Sequence, residues 1–358
     1  MRGCSPSPRR SAHCSPAPTR RGEPLSASDD RLPVTLLSGF LGSGKTTLLA
    51  RLLRDPGLVD TAVVVNEFGE VGLDHLLVAP GTDDVVLLNA GCLCCTISDT
   101  LADTLVLLFH RRARGEVPRF RRVVIETTGL AQPAPILRAL LTDKAITAHF
   151  ALDALITTVD AVHGEQQLAL HPEALQQAAT ADRLVVTKTD LTGGAVPAGL
   201  AAQLRRLNPA APILVAVQGA IAADALLGIG AHARQLDVPR WLGLPAGATP
   251  HPHGDDRIHA RSLRLDRPLQ WSDYAALLES LRGLPAAGLL RTKGLIEIAG
   301  DPRPYVIQGV QHGFASPLRL PAWPTGERRG HLVFITCDIA PATLDRALQP
   351  LRDAEAIA

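Results

Sequence analysis

Short, continuously apolar segments recur over the first part of the chain and predict buried β-strands. Stretches of helical character lie between most of them, beginning with a predicted helix at 46–53. Uniformly apolar strands that alternate with helices are typical of a parallel sheet whose two faces are both covered by helices. The pattern therefore predicts an α/β domain over 32–227. Its predicted strands are 33–38, 61–65, 84–88, 122–125, 154–159, 184–186 and 213–217.

The pattern changes after residue 227. Segment 228–256 is interrupted by Gly, Pro and His, most densely between residues 243 and 254, and we predict that it is a linker. Strands then recur with few helices between them, which predicts a smaller α+β domain over 257–354. The predicted elements of this second domain are strands at 258–265 and around Leu295, Tyr305 and Leu332, and helices at 271–284 and 341–353.

Composition agrees with two folded domains and argues against several classes of partner. The chain has 358 residues, of which 46% are hydrophobic and 20% are charged, so apolar material for a core is sufficient. A formal net charge of +1 and an aromatic content of 3% argue against a nucleic acid or an anionic membrane as partner. No apolar run reaches the roughly 18 residues of a transmembrane helix.

The N-terminal segment 1–31 differs from the rest because it is rich in Pro, Ser and Arg and poor in aliphatic residues. We predict a disordered tail, and the segment lacks the apolar region of a secretory signal. Three of the six cysteines lie within four residues, which is too close for easy disulfide pairing among them. This spacing predicts a reducing, cytoplasmic environment.

A glycine-rich segment between the first predicted strand and the first predicted helix matches the phosphate-loop pattern G-x-x-x-x-G-K-[ST]. Glycines allow the backbone to curl until successive N–H groups point at phosphate oxygens. In such loops the lysine, here Lys45, contacts the β- and γ-phosphates, and the next residue, here Thr46, binds Mg²⁺. The predicted nucleotide-binding residues of this loop are Gly39, Gly42, Ser43, Gly44, Lys45, Thr46 and Thr47.

A second motif predicts which base the protein binds. Residues 187–190 (Thr-Lys-Thr-Asp) follow a predicted strand and resemble the [NT]-K-x-D motif of GTPases. Asp190 can accept hydrogen bonds from N1–H and the 2-amino group of guanine, which adenine does not offer, so ATP is disfavoured. We expect Lys188 to lie over the base plane. Thr187 replaces the Asn of many such motifs, which removes one amide contact to the base.

Acidic residues at the ends of predicted strands are candidates for contacts to Mg²⁺ and to the γ-phosphate. Glu126 ends one strand, where its carboxylate can reach Mg²⁺ through water, and the N–H of Gly129 can donate to the γ-phosphate. Residues 66–70 (Asn-Glu-Phe-Gly-Glu), followed by Asp74, suit a mobile switch, although a solvated acidic loop is an equally good interpretation. The predicted catalytic residues are Lys45, Thr46 and Glu126.

Half of the cysteines are concentrated in the segment Gly-Cys-Leu-Cys-Cys at 91–95. Thiolates select soft or borderline ions such as Zn²⁺, Cu⁺ or Co²⁺, but this motif does not complete a closed four-ligand zinc site. We therefore predict a labile metal site that Glu70, Asp74 or a histidine completes; the alternative is that the cysteines are small buried hydrophobes. The predicted ligands are Cys92, Cys94, Cys95 and Glu70 for the transition metal, and Thr46 for Mg²⁺.

A looser group of histidines lies around the end of the predicted linker. His251, His253 and His259 could collect metal, but their spacing is irregular and a solvated loop is the better interpretation.

The five motifs in this order resemble the CobW-like family of G3E GTPases, and the resemblance spans about 33–350. It implies a Mg²⁺-dependent GTPase that carries Zn²⁺, or Co²⁺ in some branches, at the cysteine motif. GTP binding would then promote metal binding, and hydrolysis would promote release to a client metalloprotein or metal-insertion enzyme. No arginine finger is evident in the motifs, so we expect slow intrinsic hydrolysis. Further segments that resemble the family are 159–161, 289–294, 308–311 and 332–335.

Two other functions remain open on the residues alone. The chain could be a GTP-gated protein-binding module whose cysteines are structural or redox-sensing. It could also be a metabolite kinase built on the same phosphate loop, but the T-K-x-D motif counts against this because such kinases normally use ATP. The metal content of the purified protein distinguishes the carrier from the binding module.

Overall fold

A computed structural model describes residues 31–66, 75–79, 86–89, 97–230, 241–242, 257–324 and 328–356. These residues form two β-sheets with helices packed on them. The predicted tail at 1–31, apart from Arg31, and most of the predicted linker lie outside the described residues. No helix among the described residues is both long enough and apolar enough to span a membrane.

The first sheet has the mostly parallel arrangement that the apolar pattern predicts. Its strands are β1 (Leu32–Gly39), β2 (Thr61–Asn66), β3 (His75–Ala79), β4 (Val86–Asn89), β5 (Arg122–Thr127), β6 (Phe150–Asp160), β7 (Arg183–Thr187) and β8 (Ile213–Ala216). They lie in the order β4-β3-β2-β5-β1-β6-β7-β8. The six strands from β2 to β8 in that order are parallel. Their carboxyl ends meet at one edge, where open α/β sheets bind ligands.

The edge of this sheet at β3 and β4 differs from a uniformly parallel pattern. The predicted strand at 84–88 is β4, which pairs antiparallel with β3, and β3 pairs antiparallel with β2. β3 is not among the predicted strands, because periodicity alone does not identify so short an apolar run, here the four residues after His75, as a strand. Two successive reversals make β4 parallel to β2, so its carboxyl end lies on the ligand-binding edge.

Helices cover both faces of the first sheet. Val34 and Leu36 of β1 belong to the core that packs under α2 and α3, whereas Leu37 packs under α1. Because successive strand residues point to opposite faces, a continuous apolar run is buried on both sides. The described helices of this domain are α1 (Lys45–Leu52), α2 (Ile97–Arg114), α3 (Pro133–Thr142), α4 (Lys144–Thr147), α5 (Gly164–Leu170), α6 (Pro172–Thr180) and α7 (Ala198–Leu207).

The second sheet is smaller and antiparallel, as predicted for an α+β domain. Its strands are β9 (Ile258–Leu265), β10 (Leu289–Ile298), β11 (Asp301–Val310), β12 (Gly313–Phe314), β13 (Leu318–Arg319) and β14 (Gly330–Cys337). Their order is β12-β11-β10-β14-β9, with β13 paired to β11. The described helices of this domain are α8 (Trp271–Arg282), which lies between β9 and β10 in the chain, and α9 (Pro341–Ala347) and α10 (Gln349–Ala356), which follow β14. The single helix predicted at 341–353 is therefore two helices that separate at Leu348.

The two faces of the second sheet pack against different partners. One face shares a core with α8, α9 and α10. The other face packs on the first domain, where Val310 joins the core around α3 and Leu290 and Ile335 join the core around α6 and α7. The domains are therefore joined by shared apolar cores as well as by the chain.

Candidate nucleotide-binding site

The loop between β1 and α1 lies at the carboxyl edge of the first sheet and has the curled backbone that its glycines allow. Gly42 and Gly44 have φ angles of 71° and 88°, in the left-handed region that favours glycine. A Cβ on Gly39 would lie 2.6 Å from the carbonyl oxygen of Thr158, so only glycine fits there. The Ser43 hydroxyl lies 2.7 Å from the Thr158 hydroxyl, which ties the loop to β6.

The Lys45 side chain folds back into this loop. Its ammonium donates hydrogen bonds to the carbonyl oxygens of Gly39 (2.8 Å) and Phe40 (3.1 Å). Burial lowers the pKa of Lys45, and the Glu126 carboxylate opposes this effect. The loop therefore holds a cation beside the curled backbone, which is the arrangement that suits polyanionic phosphates.

Thr46 and Glu126 meet next to this lysine. The Thr46 hydroxyl donates a 2.7 Å hydrogen bond to Oε1 of Glu126. Thr46 lies in the first turn of α1, and Glu126 lies in β5 opposite Leu37 of the neighbouring β1, so adjacent strands position the two groups. A hydroxyl and a carboxylate are oxygen ligands that suit Mg²⁺, so this pair fits the ion that the motif implies. Thr47 is exposed on the same turn.

The segment after β5 lies against the loop. A Cβ on Gly129 would lie 2.6 Å from the backbone nitrogen of Leu41, so glycine permits this close approach. The Gln177 side chain on α6 holds the segment by donating to the carbonyl oxygens of Gly129 (3.0 Å) and Ala131 (2.9 Å). Sequence reasoning missed Gln177, because no local pattern marks a glutamine in an ordinary amphipathic helix.

The T-K-x-D motif follows β7 and contacts the same loop. The Thr187 hydroxyl donates a 2.7 Å hydrogen bond to the carbonyl oxygen of Ser43, so its side chain joins the two motifs. Lys188 has a φ of 58°, in the left-handed region. Asp190 lies in a short 3₁₀ turn at Thr189–Thr192 and is exposed. The structure therefore places the phosphate loop and the base motif side by side.

Asp160 at the end of β6 holds Lys188 in place. Its Oδ2 accepts a 2.7 Å hydrogen bond from the Lys188 ammonium, and its Oδ1 accepts one from the N–H of Val162 (2.7 Å). Burial alone would raise the pKa of Asp160, but hydrogen bonds from Lys188, Val162 and His163 hold it below its ordinary value. Asp160 is 1% exposed. Asp160 is not among the site residues predicted from the sequence, since its partner Lys188 lies 28 residues away.

The predicted transition-metal site lies outside the described residues. This applies to Cys92, Cys94, Cys95, Glu70 and Asp74, and also to His251 and His253. His259 is on β9, opposite Thr336 of β14. Within the described ranges, no group of three or more His, Cys, Asp or Glu side chains is arranged to hold a metal ion.

The fold and the loop define a P-loop nucleotide-binding protein with an appended antiparallel domain. Residues 33–215 match the family "CobW/HypB/UreG, nucleotide-binding domain", and residues 258–352 match the "Cobalamin synthesis protein cobW C-terminal domain". The chain belongs to this G3E family and is a GTPase, which confirms the resemblance drawn from the five motifs.

The similarity to known proteins extends over most of the chain. The zinc chaperone YjiA of Escherichia coli is 33% identical over 90% of this chain and 99% of its own length. The zinc chaperone CobW of Pseudomonas aeruginosa is 32% identical over 79% of this chain and 82% of its own length. The crystal structure of the Zn(II)-bound YjiA GTPase from E. coli superposes with a TM-score of 0.66, at 32% identity, and covers 90% of this chain and 99% of that one.

Proposed function

We propose that this GTPase is a Mg²⁺-dependent metallochaperone that binds Zn²⁺, or Co²⁺, at Cys92, Cys94 and Cys95. It delivers the ion to a client metalloprotein or metal-insertion enzyme, with metal bound more tightly in the GTP state than in the GDP state. The observation that carries the proposal is the likeness to the zinc chaperone YjiA, which extends over 90% of this chain.

The geometry of the loop supports the roles proposed for its residues in hydrolysis. Lys45 and the loop N–H groups stabilise negative charge on the phosphoryl group that is transferred to water. Thr46 and Glu126, which contact each other at 2.7 Å, hold Mg²⁺. When bound, that ion neutralises charge on the β- and γ-phosphates. The Gly129 N–H, kept close to the loop by Gln177, donates to the γ-phosphate.

The base is recognised by two residues of the T-K-x-D motif. The Asp190 carboxylate accepts hydrogen bonds from N1–H and the 2-amino group of guanine, and its exposed position leaves it accessible to the base. The aliphatic stem of Lys188 lies over the base plane while its ammonium stays on Asp160. This contact gives Asp160 a role in guanine nucleotide binding that it exerts through Lys188.

The strand order supports coupling between the nucleotide and the cysteines. β4 ends at Asn89, shortly before Cys92, and its carboxyl end lies on the edge that also holds the carboxyl end of β5. Three strand spacings separate β4 from β5, so the end of β4 at Asn89 lies roughly 14 Å from the end of β5. A segment at that distance can respond when the γ-phosphate rearranges the loops between them.

The decisive test is a titration of Zn²⁺ and of Co²⁺ into the reduced protein against a competing chelator. We expect metal affinity to be at least tenfold higher with a Mg²⁺–GTP analogue than with Mg²⁺–GDP or without nucleotide. Linkage then requires the metal to tighten binding of the GTP analogue by the same factor. Cys94→Ser should remove the effect, whereas Cys14→Ser, outside every predicted motif, should leave it unchanged. Equal affinity in all three states, or no binding, would favour a GTP-gated protein-binding module.

A second test asks whether Asp160 acts through Lys188. We expect Asp160→Asn and Lys188→Met each to raise the dissociation constant for GDP about tenfold, which corresponds to about 1.4 kcal/mol for one charge-assisted contact. In the double variant the two effects should not add, because both remove the same interaction. Isothermal titration calorimetry with GDP measures the dissociation constants of the wild type, the two single variants and the double variant.

The control for this cycle is Asp143→Asn. Asp143 accepts hydrogen bonds at the start of α4, away from the nucleotide loop, so its replacement should leave GDP affinity unchanged. Fully additive losses in the Asp160–Lys188 double variant would show that Asp160 influences binding by another route.

A further inference from the structure

A fully buried glutamine on α6 holds the segment that follows β5. Gln177 is 0% exposed, and its side-chain amide donates hydrogen bonds to the carbonyl oxygens of Gly129 (3.0 Å) and Ala131 (2.9 Å). These two carbonyl groups lie on either side of Leu130, so one amide group holds three consecutive residues. The position of this segment therefore depends on a side chain that lies more than 40 residues further along the chain.

The other atom of this amide shows that its burial is not explained by packing. Oε1 of Gln177 is buried and has no hydrogen-bond partner within the part of the chain that the structure describes. Leaving a buried polar atom unpaired is destabilising, and an apolar side chain of similar size would avoid this. Residues that depart from such a rule are expected mainly at functional sites. What a glutamine supplies here, and an apolar residue does not, is the pair of hydrogen bonds to the segment after β5.

The helix that carries Gln177 is itself fixed at both of its sides. The Thr157 hydroxyl on β6 donates a 2.9 Å hydrogen bond to the main-chain carbonyl oxygen of Gln177. Carbonyl groups in the last turn of a helix have no partner within the helix. Here the Asn208 side-chain amide donates to three of them at 2.9–3.0 Å, those of Ala178, Ala179 and Ala181. These contacts make α6 a fixed support for the amide of Gln177.

The same helix also contacts the phosphate loop. The His171 ring, at the start of α6, stacks on the Phe40 ring with a centroid distance of 4.5 Å. Phe40 precedes Leu41, and the backbone nitrogen of Leu41 lies next to Gly129. The phosphate loop and the segment after β5 thus rest on one helix, which sets the distance between them.

We propose that Gln177 is a positioning residue for GTP hydrolysis. By holding the carbonyl groups of Gly129 and Ala131, it keeps the Gly129 N–H where that group donates to the γ-phosphate. The inference rests on the proposed function, in which this N–H contacts the γ-phosphate. A donor fixed in advance stabilises the transition state because it does not have to reorient as charge develops. Such donors depend on neighbouring side chains that fix their position.

This role has a selective consequence for the triphosphate. GDP lacks the γ-phosphate, so the Gly129 N–H contributes nothing to GDP binding, whether or not Gln177 holds it. The contacts proposed for the β-phosphate and the base come from other segments, at 39–46 and 187–190. Loss of the amide should therefore weaken GTP binding and hydrolysis and leave GDP binding unchanged. A residue that only stabilised the fold would weaken the binding of both nucleotides.

The test compares the wild-type chain with Gln177→Met, which keeps the length of the side chain and removes both donors. We expect the affinity for a non-hydrolysable GTP analogue, measured by calorimetry with Mg²⁺, to fall about tenfold, the effect of one hydrogen bond to a charged group. The single-turnover rate of GTP hydrolysis should fall by at least the same factor, and GDP affinity should not change. The matched control is Gln176→Met, at the preceding, half-buried position of α6, which should leave all three quantities unchanged.

A double-mutant cycle shows whether Gln177 acts through Gly129. A Cβ on Gly129 would lie 2.6 Å from the Leu41 backbone nitrogen, so Gly129→Ala displaces the same N–H directly. Gly129→Ala should reproduce the selective loss, and the combined variant should lose no more affinity than Gly129→Ala alone. Thermal unfolding shows whether each variant is folded. If Gln177→Met does not fold, Gln177→Leu, which also lacks the donors, takes its place.

Equal losses of affinity for GDP and for the GTP analogue in the Gln177 variant would overturn the proposal. Unchanged affinity for the GTP analogue, or full additivity in the double variant, would do the same. If Gly129→Ala binds the GTP analogue normally, the proposed γ-phosphate contact fails, and the role of Gln177 fails with it. If Gly129→Ala shows the selective loss and the Gln177 variant does not, only the role of Gln177 fails. The titration of Zn²⁺ and Co²⁺ tests the metal site separately.

Discussion

Lys45→Ala is expected to abolish GTP binding at micromolar concentrations. The ammonium of Lys45 lies inside the phosphate loop, where it now satisfies the carbonyl oxygens of Gly39 and Phe40. We propose that it turns to the β- and γ-phosphates when GTP binds. Hydrogen bonds to charged groups contribute about 1.5–3 kcal/mol each. Losing two of them corresponds to a loss in affinity of roughly 10²- to 10⁴-fold.

Titration with a fluorescent GTP analogue measures this loss, and thermal unfolding of the same samples shows whether the variant is folded. Lys144→Ala is a suitable control, because Lys144 is an exposed lysine on α4, which precedes the amino end of β6, opposite the ligand-binding edge. Normal GTP affinity in folded Lys45→Ala would show that residues 39–46 do not form the phosphate site.

Asp190→Asn is expected to change the preferred base from guanine to xanthine. The carboxylate of Asp190 accepts two hydrogen bonds from guanine, whereas an asparagine amide can donate to the C2 carbonyl group of xanthine. Sites built around such hydrogen bonds reject a mismatched ligand by about 10⁴. We therefore expect the ratio of kcat/KM for GTP to that for xanthosine triphosphate to fall by about 10³ or more.

Steady-state hydrolysis of the two nucleotides measures this ratio. Asp190 is exposed in a short turn, so the substitution should alter stability little. Asp224→Asn, at an exposed aspartate in another 3₁₀ turn, provides the matched control. An unchanged preference for GTP in Asp190→Asn would show that Asp190 does not recognise the base.

The phosphate loop and the class of fold were predictable because they depend on neighbouring residues. Gly42 and Gly44 adopt left-handed backbone angles that glycine favours in any context, and Lys45 and Thr46 follow them directly. The apolar run at 184–186 in β7 is buried along its whole length, so the apolar pattern alone indicates a strand covered on both faces. These features confirmed the predicted mostly parallel sheet and the family.

Residues that act across the fold were not predictable in the same way. The contact of Gln177 with Gly129 joins residues 48 positions apart, and the contact of Arg291 with Asp182 joins residues 109 positions apart. A local pattern marks none of them, since each lies in an ordinary helix, strand or loop. The antiparallel edge formed by β3 and β4 is similar, because strand pairing is decided by which neighbour is available in space.

Local chemistry thus specified the nucleotide loop, the base motif and the alternation of strands and helices. The packing of the two domains decided the rest: that Asp160 holds Lys188, that Gln177 holds the segment after β5, and that an arginine and a lysine of β10 share the buried carboxylate of Asp182. The physical reason is that backbone conformation and apolar periodicity are set within a few residues. Hydrogen bonds and charge balance in a buried site depend on groups that only the folded chain brings together.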